Sequence, residues 1–137
     1  MTTHIDFNLA PLLWYQIGGK AKYLLECSKK EDIAEALDFI DKNNVQKIFV
    51  CGLGSNLIFT DEDFDGAVIR IAASKNGEND ITIMQDGQVE AFAGEILDSV
   101  ITFSLDHNLV GLEWAGGLPG TVGAAVRGNV GAYGGEI

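Results

Sequence analysis

Basic residues are what this 137-residue sequence has least of relative to need: nine lysines and arginines stand against 20 aspartates and glutamates, a formal charge of −11. A phosphate-rich polymer or an anionic bilayer surface is repelled by such a chain, so nucleic-acid binding and membrane docking are excluded as working readings. A small anion can still be held, provided backbone N–H groups rather than lysines hold it. Cysteine is equally scarce. Cys27 and Cys51 form neither a metal spacing nor a disulfide framework, and are expected to be reduced, buried thiols. No charged-then-apolar leader opens the sequence and no apolar run is long enough to cross a bilayer, so the expectation is a soluble, cytoplasmic protein. Repeats and low-complexity tracts are absent too.

What is abundant is glycine. The 17 glycines concentrate at 52–54 and between 111 and 135, which marks backbone that turns tightly or approaches something closely. With 47% hydrophobic and 21% charged residues the composition is globular, and the length suffices for one modest core or two small lobes.

The first lobe, 1–73, reads as strand, helix, strand, loop, strand. Lys22 to Cys27 is a strand; Ser28 and Glu31 pair as a capping box before a helix whose Ile33, Leu37 and Ile40 recur at helical spacing and which ends near Asn43-Asn44. Lys47 to Cys51 and Ala67 to Ile71 are buried-type strands. His4 falls in a terminus expected to be mobile. A polar stretch, Ala73–Asp80, marks a lobe boundary. In the second lobe, 74–137, Asp86-Gly87 predicts a two-residue hairpin between Ile81–Gln85 and Gln88–Ala93. Ile96–Asp106 is an amphipathic helix with Leu97, Val100, Ile101 and Leu105 on its apolar face, and His107 at its end suits a C-capping or solvated role.

Two glycine constellations carry chemistry. In Cys51-Gly52-Leu53-Gly54-Ser55-Asn56-Leu57, Gly52 and Gly54 allow positive φ, and successive N–H groups can converge into an anion site extended by the Ser55 and Asn56 side chains. A pyrophosphate suits it; so does an ordinary tight turn with no ligand. The pattern is not G-x-G-x-x-G, which argues against a Rossmann site. In Gly116-Gly117-Leu118-Pro119-Gly120-Thr121-Val122-Gly123-Ala124-Ala125-Val126, Pro119 suits the first position of a helix nearly free of bulky side chains. Its N–H groups can face a flat or anionic group, or the small residues can serve close packing. Asn129 and Gly131-Ala132-Tyr133-Gly134-Gly135 follow, with Tyr133 open to either a packing or a ligand role.

In order, Ile17-Gly18-Gly19, Gly52 to Leu57, Asp65-Gly66-Ala67-Val68-Ile69-Arg70, Gly111-Leu112-Glu113, Pro119 to Gly123 and Asn129 to Gly134 resemble the UDP-N-acetylenolpyruvoylglucosamine reductase family along nearly the whole chain. The resemblance implies a two-lobed α+β FAD fold of the vanillyl-alcohol-oxidase type, cut short at the C-terminus. It implies that Gly52, Leu53, Gly54, Ser55, Asn56 and Leu57 wrap the FAD pyrophosphate. It further implies that Gly117, Pro119, Gly120, Thr121, Val122 and Gly123, with Asn129, Gly131, Ala132 and Tyr133, line the phosphates, ribityl chain and isoalloxazine ring. In the family NADPH reduces the flavin, which then reduces the enolpyruvyl group of a nucleotide sugar. The serine, arginine and glutamate of that reaction follow the Gly-Ala-Tyr-Gly stretch, so no catalytic residue is expected here, and Ser99, Arg127 and Glu136 do not replace them. The resemblance implies an incomplete sheet, weakened FAD affinity and self-association through exposed edges. Trp14-Tyr15-Gln16 departs from the family's Thr-Phe-Arg, and Arg127 stands where an apolar residue is common. Another flavin oxidoreductase of the same fold and a domain that no longer binds flavin are the alternatives.

Overall fold

The computed structural model describes residues 1–73 and 80–137, so the expected boundary residues from Ser74 to Asn79 lie outside it. The chain divides into two compact units, Met1–Ala72 and Ala73–Ile137.

The first unit is built on a mixed four-stranded sheet in the order β1-β2-β4-β3, from β1 (Thr2–Asn8), β2 (Lys20–Cys27), β3 (Ile48–Cys51) and β4 (Phe64–Ile71). β2, β4 and β3 run parallel, with α1 (Lys30–Lys42) as the β2–β3 crossover, while β1 pairs antiparallel with β2. Both faces of the central strands are covered, which is why Gly66 to Ile69 are buried without alternation. Leu25, Cys27, Ala67 and Ile69 meet Ala36 and Ile40 of α1; on the other face Leu24 and Val68 meet Leu9 and Leu13, and Phe49 stacks edge-on against Phe59 with ring centroids 4.9 Å apart. The N-terminal residues are a strand and not a mobile tail. Asp6 takes φ +50°, and the half-buried side chains of β1, His4 and Phe7, are three residues apart, so the period-2 signature of a strand is missing.

α1 is anchored by a carboxylate one position later than the capping box proposed from sequence. Asp32 accepts hydrogen bonds from Ser28 N–H (2.8 Å), the Ser28 hydroxyl (3.2 Å) and Lys29 N–H (3.3 Å), and the Met1 ammonium lies 2.6 Å from its Oδ1. Glu31 is exposed. The buried positions of α1 are Asp32, Ala36 and Ile40, with Leu37 turned outward, because the helix is rotated to place Asp32 under its own N-terminus.

The second unit holds a β5 (Ile81–Ile83)/β6 (Val89–Ala91) hairpin, α2 (Leu97–Asp106), a 3-10 turn at Glu113–Ala115, α3 (Val122–Gly128) and a minimal β7 (Gly131–Ala132)/β8 (Gly135–Glu136) hairpin. Its core is Leu97, Ile101, Ala115 and Ala125, ringed by Leu112, Trp114, Leu118 and Val130. Ser104 and not Leu105 completes the buried stripe of α2, its hydroxyl donating to the Val100 carbonyl at 2.8 Å. The β5–β6 connection closes through Met84 N–H to Gln88 O (2.8 Å), leaving three residues with Gly87 at φ +83°. This is a type I turn with a left-handed glycine in place of the two-residue turn expected.

Burial alone would raise the Asp32 carboxyl, but the ammonium and the Ser28 donors outweigh it and hold it down to about 2. A carboxyl lowered on folding contributes stability above its unfolded value, near ~3.9, which is lost as pH falls through about 2. Asp32→Asn is therefore expected to destabilise the chain by about 2 kcal/mol at pH 6. The deficit relative to wild type should shrink between pH 4 and pH 2. Thermal melts followed by circular dichroism across that range test it; equal melting temperatures at pH 6 would count against it.

Candidate nucleotide-binding segments

The glycine turn leaves the C-terminal end of β3, the end of a parallel sheet at which ligands are commonly held. Gly54 has φ +75°, a conformation that favours glycine, and it is buried against the Leu9–Trp14 segment. A Cβ there would stand 2.7 Å from the Leu12 carbonyl oxygen, and the Gly54 carbonyl accepts from Trp14 N–H at 3.1 Å. Gly52 does not share the positive φ expected of both glycines. It follows directly on Cys51, which is still paired with Arg70.

Among the described residues, the backbone N–H groups from Gly52 to Asn56 donate to no protein acceptor, while a turn over Ser55-Asn56 brings Leu57 N–H back to the Gly54 carbonyl. Unpaired backbone donors in a half-buried turn cost free energy unless water or an anion accepts from them. A row of them is an anion site made without lysine or arginine in the turn itself. Ser55 is half-buried and Asn56 exposed, so both side chains can reach a ligand at the rim.

The segment of the second unit is arranged differently. α3 begins at Val122, with Thr121 as its N-cap, so Pro119 stands two residues before the cap and not at the first helical position. The first donors of the helix are already engaged: Val122 N–H with Glu95 O (2.9 Å), Gly123 N–H with Ala93 O (2.8 Å), Ala124 N–H with Thr121 Oγ1 (3.4 Å) and Ala125 N–H with Thr121 O (2.9 Å). Its small residues serve close approach. A Cβ on Gly123 would lie 2.9 Å from that of Ala93. Gly117 N–H donates to Asp98 Oδ1 at 2.9 Å, with φ +79°.

Asn129 ends α3 in the left-handed region at φ +45°, and Arg127 sits in the last turn, where a cation complements the helix dipole. Tyr133 and Gly134, at φ +53° and +87°, form the two-residue turn between β7 and β8. Tyr133 is 90% exposed, and an aromatic in the left-handed region costs about 1 kcal/mol, so this turn displays the ring at the expense of local stability. Gly135 is pressed onto the Trp114 ring, leaving no space for a side chain. Sequence reasoning had no reason to pick the Leu9–Trp14 segment that backs Gly54, since nothing local in Leu12-Leu13-Trp14 signals that contact.

Neither thiol takes part. Burial pushes Cys27 and Cys51 up to about 11, which makes both poor nucleophiles at neutral pH.

A family model described as an FAD binding domain matches residues 21–137. The UDP-N-acetylenolpyruvoylglucosamine reductase of Orientia tsutsugamushi (strain Ikeda) is 35% identical over 132 residues, covering 96% of this chain and 43% of that protein. The enzyme of the same name from Sphingopyxis alaskensis is 40% identical over 131 residues, covering 94% and 42%. The crystal structure of UDP-N-acetylenolpyruvylglucosamine reductase (MurB) from Thermus caldophilus superimposes with a TM-score of 0.70 at 27% identity, over 98% of this chain and 44% of that one. The chain thus spans about two fifths of the length of these relatives. Residues 21–137 and the mixed α+β fold that carries them place this chain in the FAD-binding domain family.

Proposed function

We propose that this chain is the flavin-binding part of a UDP-N-acetylenolpyruvoylglucosamine reductase, an FAD-dependent oxidoreductase that takes hydride from NADPH and reduces the enolpyruvyl group of a nucleotide sugar for cell-wall precursor synthesis in the cytoplasm. The observation that carries the reading is the run of unpaired N–H groups from Gly52 to Asn56 in a chain of net charge −11. FAD brings a diphosphate that needs donors, and this turn has donors without acceptors. Gly52, Leu53, Gly54, Ser55, Asn56 and Leu57 hold the diphosphate. The Gly117–Gly123 stretch gives close backbone approach through Gly117, Pro119, Gly120, Thr121, Val122 and Gly123. Asn129, Gly131, Ala132 and Tyr133 form a second contact surface.

FAD, once bound, supplies hydride-transfer chemistry; the residues of this chain bind and orient it. Because the α3 donors are spent within their own unit, the diphosphate is assigned to the turn after β3, and the later segment contributes shape and the Tyr133 ring. The reaction itself belongs to the longer protein, and no residue among the segments described is assigned an acid–base role. β3 is an edge strand with Ile48 and Val50 exposed, which supports self-association of the isolated chain.

The purified chain is expected to take up FAD on mixing, giving bound-flavin absorbance and quenched flavin fluorescence, and to leave the nucleotide-sugar substrate unchanged when NADPH is added. Chain that stays colourless at saturating FAD sinks the reading. Gly54→Ala adds a Cβ against the Leu12 carbonyl and forces an alanine into positive φ. It is expected to weaken FAD binding at least tenfold and to destabilise the fold by roughly 1–3 kcal/mol. Fluorescence titration and urea unfolding read the two effects separately, and wild-type FAD affinity in this variant would remove the turn from the site.

A further inference from the structure

Arg70 lies directly behind the glycine turn. It sits on β4 opposite Cys51, the last residue before Gly52, and lines a small cavity shared with Cys51, Gly52, Gly54 and the Leu9, Leu12 and Leu13 side chains. Its Nη1 donates to Glu26 Oε1 at 2.9 Å, and Glu26 Oε2 is 2.9 Å from His4 Nε2. Its Nε is fully buried and, among the described residues, has no hydrogen-bond partner. A buried guanidinium donor is ordinarily paired, and its positive charge here lies beside the turn's own N–H groups. The one feature sharing its cavity that is also short of acceptors is the turn.

Glu26, Arg70 and Cys51 occupy matching positions on β2, β4 and β3, on the face that carries Leu24, Val68 and Phe49. The row crosses the C-terminal end of the parallel strands, and it ends where the unpaired N–H groups begin. The charges that follow the turn in the chain, Asp61, Glu62 and Asp63, are all acidic.

Resting on the reading of the turn as a diphosphate site, we propose that Arg70 is a positioning residue whose guanidinium charge, set behind the turn, strengthens the hold of Gly52–Asn56 on a diphosphate, with Glu26 tempering that charge. Glu26 then sets how strongly the turn binds: it fixes the guanidinium in place and offsets part of its field.

The test uses inorganic pyrophosphate and FAD separately on the 137-residue chain, by isothermal titration at several NaCl concentrations, for wild type, Arg70→Met, Arg70→Lys and Glu26→Gln. Arg70→Met keeps much of the packing volume and loses the charge. It is expected to weaken both ligands tenfold or more and to flatten the salt dependence of binding, a change that a purely structural role would not produce. Arg70→Lys should restore most of the salt dependence and part of the affinity, and Glu26→Gln should tighten pyrophosphate severalfold. Circular dichroism melts identify a variant that fails to fold; if Arg70→Met is one, Glu26→Gln and Arg70→Lys decide, and unchanged or weaker pyrophosphate binding in Glu26→Gln overturns the proposal. A folded Arg70→Met that binds both ligands like wild type also overturns it. Wild-type chain that binds pyrophosphate but not FAD supports the role of Arg70 while defeating the flavin reading, and wild-type chain that binds FAD but not pyrophosphate, with Arg70→Met unaffected, does the reverse.

Discussion

The short parallel ladder between β3 and β4 is what the rest of the site depends on. Ile48 to Cys51 pair with Ala67 to Arg70, and this pairing ends where Gly52 begins. The chain must leave the sheet there, and it can do so tightly only because Gly54 accepts a left-handed φ and lets the Leu9–Trp14 segment press against it. The N–H groups from Gly52 to Asn56 are thereby left without acceptors among the described residues. Sheet pairing engages the acceptors of the ladder beside the turn, which suits the turn to the anion proposed for it.

The acidic composition and the backbone site are two sides of one choice. A chain of net charge −11 repels long polyanions, and that repulsion reaches only about a Debye length in salt. A half-buried turn feels it little. Backbone dipoles inside the turn are short-range, directional and unaffected by surface charge, so one small diphosphate can be held while polymers of phosphate are turned away. The second unit spends its helix-terminal donors internally, through Ala93, Glu95 and Thr121. That expenditure stabilises a seven-residue helix too short to stand alone, and it leaves shape, not charge, as what the segment can offer a ligand.

Much of this was legible in the residues. The strand ending at Cys27, the crossover helix, the strands at 48–51 and 64–71 and the helix at 97–106 follow from the sequence pattern to within a few residues, but the strand at 48–51, expected to be buried, is an edge strand with Ile48 and Val50 exposed. Among the features that did not follow, three show why. β1 lacks alternation because Asp6 is left-handed. Asp32 replaced Glu31 as the cap because the helix rotates to bury it beside the N-terminal ammonium. Thr121, and not Pro119, begins α3, because its neighbours bond to carbonyls of residues 93–95, almost thirty positions earlier in the chain.

What the sequence determined by itself was the family and the glycine turn, since these rest on residue type and order, with glycine where no side chain fits. What only the tertiary structure decided was which donors remain free. The same backbone N–H is left without a protein acceptor after β3 and is a spent structural one at the start of α3. The difference lies in whether a carbonyl from a distant strand or loop stands opposite it, and local sequence does not encode that distance.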